Sequence, residues 1–323
     1  MKKDCCFIKD FLKNIFSVCN YGETHYIVRV LGIKIKFPKL EYAKKKRQNS
    51  YYYYKKNNID ITTLPPAEGQ VRDIQLANLA LLKELDYVCK KAGLKYWLDG
   101  GTQIGVVRHK GFVPWDDDID TGMLREDYDK VIEAFEKYSR NPDIFAGLVR
   151  APKNTCQQII KVQHKKCPYL FVDIFPFDLF GPKRPPEEQL LDTLRMKQYR
   201  KELENSCTNR TPDEEVAQKI NEYMETKVLV NQIPENKNDA ELVWGLEFNH
   251  TWKNWFTNYD VIFPLKPVIF EGYEFYCINN PDAFLSRLYG DYMAYPKKIT
   301  MGHSMFLDIS EEEKDVIKSL IKG

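Results

Sequence analysis

The sequence has no apolar run approaching the ~20 residues that a membrane-spanning helix needs, so a helical membrane protein is not expected. Its start, MKKDCCFIKDFLKNIF, carries lysines but neither an uninterrupted apolar stretch nor a small-residue cleavage site. That is a poor secretory signal, and a cytoplasmic location is expected. Histidine is scarce, five in 323 residues, and the eight cysteines are scattered without a CxxC or a histidine at zinc-finger spacing. Neither a disulfide framework nor a structural zinc site is supported, and most cysteines should be small core hydrophobes in a reducing compartment. No internal repeat is visible. Hydrophobic and charged fractions of 43% and 29% are ordinary for a globular chain that can bury a full core.

The formal net charge of +2 hides a division between the ends. Residues 1–60 hold fourteen Lys or Arg against five Asp or Glu, a net of +9, while residues 61–323 hold 34 against 41, a net of −7. The two parts therefore have different partners. Near the start, Phe7, Ile8, Phe11, Leu12, Ile15 and Phe16 recur at helical spacing around Lys9 and Lys13, describing a short basic amphipathic helix suited to an anionic membrane surface. HYIVRVLGIKIKF alternates apolar and basic residues like a hairpin turning near Gly32. KLEYAKKKRQNSYYYYKKNN follows, suited equally to phosphate head groups or to a solvated tether, and Pro65 and Pro66 close the segment. Residues 1–65 thus read as a basic appendage for membrane or partner attachment, and 66–323 as the main domain.

The main domain opens with VRDIQLANLALLKELDYVCKKAG, where Ile74, Leu76, Leu79, Leu82, Leu85 and Val88 form one apolar stripe that Gly93 terminates. LKYWLDG is a short buried strand and GTQIGVVRH a second helix after the glycine pair. DIDTGML reads as a strand and REDYDKVIEAFEKY as one amphipathic helix. Further strands are expected at IFAGLVRA, QIIKVQH and YLFVDIFPFDLF, then two long helices that begin with Pro and acids. The fold class is α+β: a small mixed sheet flanked by helices, plus a helical and aromatic-rich C-terminal part.

Chemistry concentrates in WDDDID. Four carboxylates in five positions repel one another, and a folded protein offsets such a cluster with a cation or a positive ligand. On a strand Asp118 and Asp120 project from one face, about 7 Å apart, where they can share a hard divalent cation that also takes phosphate oxygens. Asp173 in LFVDIFPF is a lone acid among apolar residues, costly unless paired, and a neighbouring strand carrying Asp118 and Asp120 would place all three at one metal. Gly100 and Gly101, between strand and helix, let backbone N–H groups approach a phosphate. Arg108, His109 and Lys110 are three consecutive potential cations, with Arg108 first choice to clamp a transferring phosphoryl group and His109 second.

Residues 96–124, YWLDGGTQIGVVRHKGFVPWDDDIDTGML, resemble the signature of the LicD family, and the similarity extends through FVDIFPFD toward LYGDYMAYP and His303. The resemblance implies a nucleotidyltransferase-like core and transfer of phosphocholine from CDP-choline to a hydroxyl of a cell-surface glycan of lipopolysaccharide or teichoic-acid type, with release of CMP. It implies Mg²⁺, with Mn²⁺ as substitute, on Asp118, Asp120 and Asp173. Asp173 would complete the metal site or take the acceptor proton, and Arg108 would steady the phosphoryl oxygens. Gly100, Gly101, Thr102, His109 and His303 are expected at the substrate. The acceptor can be lipid-linked, consistent with a peripheral position on the cytoplasmic membrane face, and no nucleic acid is involved. Glycerol, ribitol or ethanolamine phosphate could replace phosphocholine, and a non-catalytic nucleotide or glycan binder is the remaining alternative.

Blander roles are expected for the neighbours. Asp116 and Asp117 cap the loop before the strand or support the metal acids from behind. Trp115 and Trp244 are core, and His164 is an exposed strand residue. Asp178 lies outside the metal-facing set if Pro176 breaks its strand.

Overall fold

The computed structural model describes residues 16–21, 25–30, 33–38, 50–150, 158–208, 210–228, 232–245, 256–299, 302, 304 and 307–323. The amphipathic helix expected around Phe7 to Ile15 lies outside them, as do Gly32 and His303. Two compact units result, Met1–Asp60 and Ile61–Gly323. In the first, β1 (Phe16–Tyr21), β2 (His25–Val30) and β3 (Ile33–Pro38) form an antiparallel meander. Val30 opposes Ile33, so the hairpin expected of HYIVRVLGIKIKF is present, extended by one strand that Phe16 begins. Part of the tyrosine run is helical, α1 (Ser50–Lys56).

The second unit is organised by α2 (Gly69–Ala92). Its stripe of Ile74, Leu79, Leu82, Leu85 and Val88 is buried, and Gly93 ends it in the left-handed conformation, φ 72°, donating its N–H to the Cys89 carbonyl. Next come β4 (Trp97–Leu98), α3 (Gly100–His109) and β5 (Ile119–Leu124). The helix expected over 125–138 divides into α4 (Arg125–Tyr128) and α5 (Val131–Tyr138), because the chain turns at Asp129 and Lys130. A run of strands follows: β6 (Ile144–Arg150), β7 (Gln158–His164) and β8 (Cys167–Pro182). The helices α6 (Pro186–Ser206) and α7 (Asp213–Tyr223) lead to β9 (Ala240–Trp244) and β10 (Phe256–Asn258). The chain closes with α8 (Tyr259–Ile262), the hairpin β11 (Lys266–Phe270) and β12 (Tyr273–Cys277), α9 (Pro281–Tyr289) and α10 (Glu311–Lys322).

Among the described residues a mixed sheet of seven strands is built around β8. One edge of β8 pairs in parallel with β5, which pairs antiparallel with β4. The other edge takes β7 along its first half and β9 along its second, both antiparallel. Pro176 does not break the strand, so YLFVDIFPFDLF runs through as one element. Its carbonyl accepts the Gly245 N–H, so its missing donor faces the gap between the β7 pairing, which reaches Ile174 of β8, and the β9 pairing, which starts at Phe177. One core includes the α2 stripe, Trp97 and Trp244; a second joins Phe180, Val243 and Phe256 to Met196 and Leu203 of α6 and Val216 and Ile220 of α7. The sheet is thus mixed and flanked by helices, as expected. His164 is buried rather than exposed, because its Nδ1 accepts the Lys166 N–H in the β7–β8 turn, 3.3 Å away.

Candidate active site

The glycine pair and the acid segment are built against each other. The Asp99 N–H donates to the Asp120 carbonyl at 2.9 Å, extending the β4–β5 pair by one bond. Gly100 then turns the chain at φ 52°, and a β-carbon on it would stand 2.6 Å from Asp120 Oδ2. One on Gly101 would stand 2.8 Å from Asp116 Oδ2. These glycines therefore make room for carboxylates, and the Gly101 N–H donates to Asp120 Oδ2 at 3.3 Å. Thr102 is buried, and its hydroxyl accepts the Asp120 N–H at 2.9 Å. It fixes the acid strand from behind.

Asp120 and Asp173 are register partners on β5 and β8, which brings the second acid-bearing strand to the first. On the opposite side of Asp173 its register partner is Lys161 of β7, whose Nζ lies 2.7 Å from Asp173 Oδ1. The same ammonium sits 3.7 Å from the centre of the Phe171 ring. Asp116, Asp118 and Asp120 form one group. Burial first, and then Asp118 and Asp120, push the Asp116 carboxyl well up; burial, then Asp118, Asp173 and Asp99, do the same to Asp120. Asp99, 5% exposed, is raised by burial to about 7, against the Gly100 N–H and the Trp97 side chain.

Arg108 ends α3 as a buried cation. Its Nη1 donates to the Tyr292 carbonyl at 2.8 Å and its Nε to His109 Nε2 at 3.0 Å, and its Cζ lies 5.6 Å from the centre of the Trp115 ring. Burial pulls its pKa to about 10, opposed by Tyr295 and Asp116, so it stays charged at neutral pH beside the acid group. His109 is different: burial, then Arg108, lower it to about 4, making it a neutral acceptor instead of the expected second cation. Trp115 is core, 7% exposed, with its ring stacked on Tyr295. The tip of the β11–β12 hairpin holds the loop that follows α3. Glu271 accepts the Phe112 N–H and both donors of Arg72, and its own N–H donates to the Lys110 carbonyl.

Asp117 leaves the group. Its carboxylate accepts the backbone N–H and the hydroxyl of Ser304, and Gly302 packs so closely on it that no β-carbon would fit. It anchors a segment distant in sequence. His303 is outside the described residues. Asp178 points away from Asp173 by strand alternation and pairs with Arg125 at 2.8 and 3.0 Å.

Residues 93–211 match the domain described as "LicD/FKTN/FKRP, nucleotidyltransferase domain". The lipopolysaccharide cholinephosphotransferase LicD of Haemophilus influenzae is 31% identical over 251 residues, which cover 70% of this chain and 92% of that protein. The chain belongs to the LicD family. The human ribitol 5-phosphate transferase FKRP is 32% identical over 90 residues, 28% of this chain and 18% of FKRP, and an uncharacterized Rickettsia prowazekii protein is 30% identical over 103 residues, 31% of this chain and 38% of that protein.

For a LicD-family chain the donor set suits a hard cation, since Asp116, Asp118, Asp120 and Asp173 offer only oxygens and hold mutual repulsion that a divalent ion would relieve. Among the described residues, no three carboxylate, His or Cys side chains already stand as a finished metal site. Lys161 instead engages one oxygen of Asp173. Sequence reasoning missed Asp99, Lys161 and Glu271. For Asp116 two roles were open, a loop cap or a supporting acid, and its carboxyl stands with those of Asp118 and Asp120. A cavity of about 630 Å³ lined by Lys90, Tyr96, Tyr259, Phe263 and Tyr276 includes none of the acids.

Proposed function

We propose that this LicD-family protein transfers a phospho-alcohol from a CDP-linked donor to a hydroxyl of a cell-surface glycan, phosphocholine from CDP-choline being the first choice. The bond from phosphorus to the CMP leaving group breaks, the acceptor oxygen forms the new bond, and its proton passes to a carboxylate. The observation carrying this reading is the opposition of Asp120 and Asp173 on paired parallel strands, with Asp116 and Asp118 beside them and the glycine turn in contact.

Mg²⁺ or Mn²⁺ held by Asp118, Asp120 and Asp173 would supply positive charge to the donor diphosphate. The chain's own residues do the rest. Gly100 and Gly101 shape the turn that sets Asp120 and Asp116, and Thr102 fixes the Asp120 backbone. Arg108, charged and anchored on Tyr292 and His109, is the residue to steady a phosphoryl oxygen. Asp173 accepts the acceptor proton or shares the metal. The choice of choline rests on the likeness to the Haemophilus protein across 92% of its length; the shorter likeness to FKRP favours ribitol phosphate as the second reading.

The test is CMP release and the mass of the transferred group across CDP-choline, CDP-ribitol, CDP-glycerol and CDP-ethanolamine, with a glycan acceptor and Mg²⁺ or Mn²⁺. Asp118→Ala and Asp173→Ala should remain folded and lose turnover by about a thousandfold. Unchanged turnover in both would remove the mechanism, and donor binding without turnover by the unaltered protein would favour a binding role.

A further inference from the structure

We propose that Lys161 is the resident cation of the acid cluster: it yields Asp173 to a divalent ion and then turns its ammonium to the donor phosphate. This rests on the phosphotransfer reading. Asp173 stands between two register partners of opposite sign, Asp120 on β5 and Lys161 on β7. The Lys161 ammonium is 2.7 Å from Oδ1, which is itself buried, and the two side chains are 18% and 15% exposed. The pair therefore borders the acid group, mostly covered but not sealed from solvent. A lysine ammonium on a flexible stem can leave one partner and take another, and it binds phosphate as a point charge. The Phe171 ring, 3.7 Å away, gives it a face to rest on when it leaves the carboxylate.

The arrangement makes an unusual demand on a single substitution. If Lys161 only held β7 to β8, its loss would lower stability and leave metal binding alone or weaken it. As a resident cation it competes for the oxygen that a metal would use, so its loss should strengthen metal binding and weaken donor binding together.

Binding of Mn²⁺ alone to the full-length protein, followed by electron paramagnetic resonance, gives a measurement independent of turnover. Lys161→Gln should bind Mn²⁺ about tenfold more tightly than the unaltered protein, while its KM for CDP-choline rises about tenfold or more. Lys161→Arg keeps the charge and should leave Mn²⁺ binding near the original value while recovering part of the donor binding. Equal or weaker Mn²⁺ binding in Lys161→Gln would overturn the proposal; if that variant does not fold, Mn²⁺ binding by Lys161→Arg tighter than by the unaltered protein would do the same. An inert unaltered protein on every CDP-alcohol would fail the functional reading, and the Mn²⁺ comparison would still decide whether Lys161 is the resident cation.

Discussion

The carboxylate of Asp120 occupies the space that a side chain on Gly100 would need. A β-carbon there would lie 2.6 Å from Oδ2, and the backbone already sits at φ 52°. Gly100→Ala therefore combines left-handed strain of about 1–2 kcal/mol with displacement of the Asp120 carboxylate. The melting temperature should fall by a few degrees, and turnover by a larger factor than the stability loss explains. Equal activity in the folded fraction would show that the turn does not position Asp120.

Two aspartates on neighbouring strands should respond in opposite ways to the same change. Asp120→Asn removes one of several mutually repelling carboxylates, so thermal stability should hold or rise while turnover disappears. Asp178→Asn breaks the buried pair with Arg125 and should cost about 3 kcal/mol, with activity retained in the protein that stays folded. Thermal melts alongside CMP release separate the two roles.

Without metal, stability should fall as pH rises from about 4 to about 7. The folded Asp99 carboxyl keeps its proton up to about 7, whereas in the unfolded chain it ionises near 3.8, so between those values the folded state binds the extra proton. Asp116 and Asp120 shift in the same direction. Asp99→Asn should flatten the decline by on the order of 2–4 kcal/mol in melts with chelator present. A variant profile parallel to the original would show that Asp99 is not a source of the decline.

The basic first segment should bind anionic vesicles independently of catalysis. Flotation with phosphatidylserine-containing liposomes should recover the full chain, lose it when residues 1–60 are removed, and lose it again at high salt. Flotation that persists after truncation would assign membrane contact to the second unit.

Much of this was legible because it follows from local rules. The α2 stripe and the stop at Gly93 each depend on a few adjacent residues. Asp116 lies in the loop before β5, where strand alternation does not apply, so a loop cap and a supporting acid were both open, and its carboxyl stands with the acid group. Lys161 could not be found locally, since its meeting with Asp173 depends on the β7–β8 register. Glu271 reaches Arg72 across 199 positions, a contact that no motif encodes. The strand over YLFVDIFPFDLF was legible despite Pro176, for which the changeover from β7 to β9 leaves a place without a lost bond.

The bond from Ser304 to Asp117 spans 187 positions, so the most acidic stretch of the chain is fastened by a residue made very late in synthesis. Contacts of such separation form slowly, after local elements are in place. A nascent chain can thus fold its α2 stripe and its sheet while the acids still lack this tether. The acid stretch therefore takes its final surroundings only when nearly the whole second unit has been made, and its folding is closed from the far end of the chain.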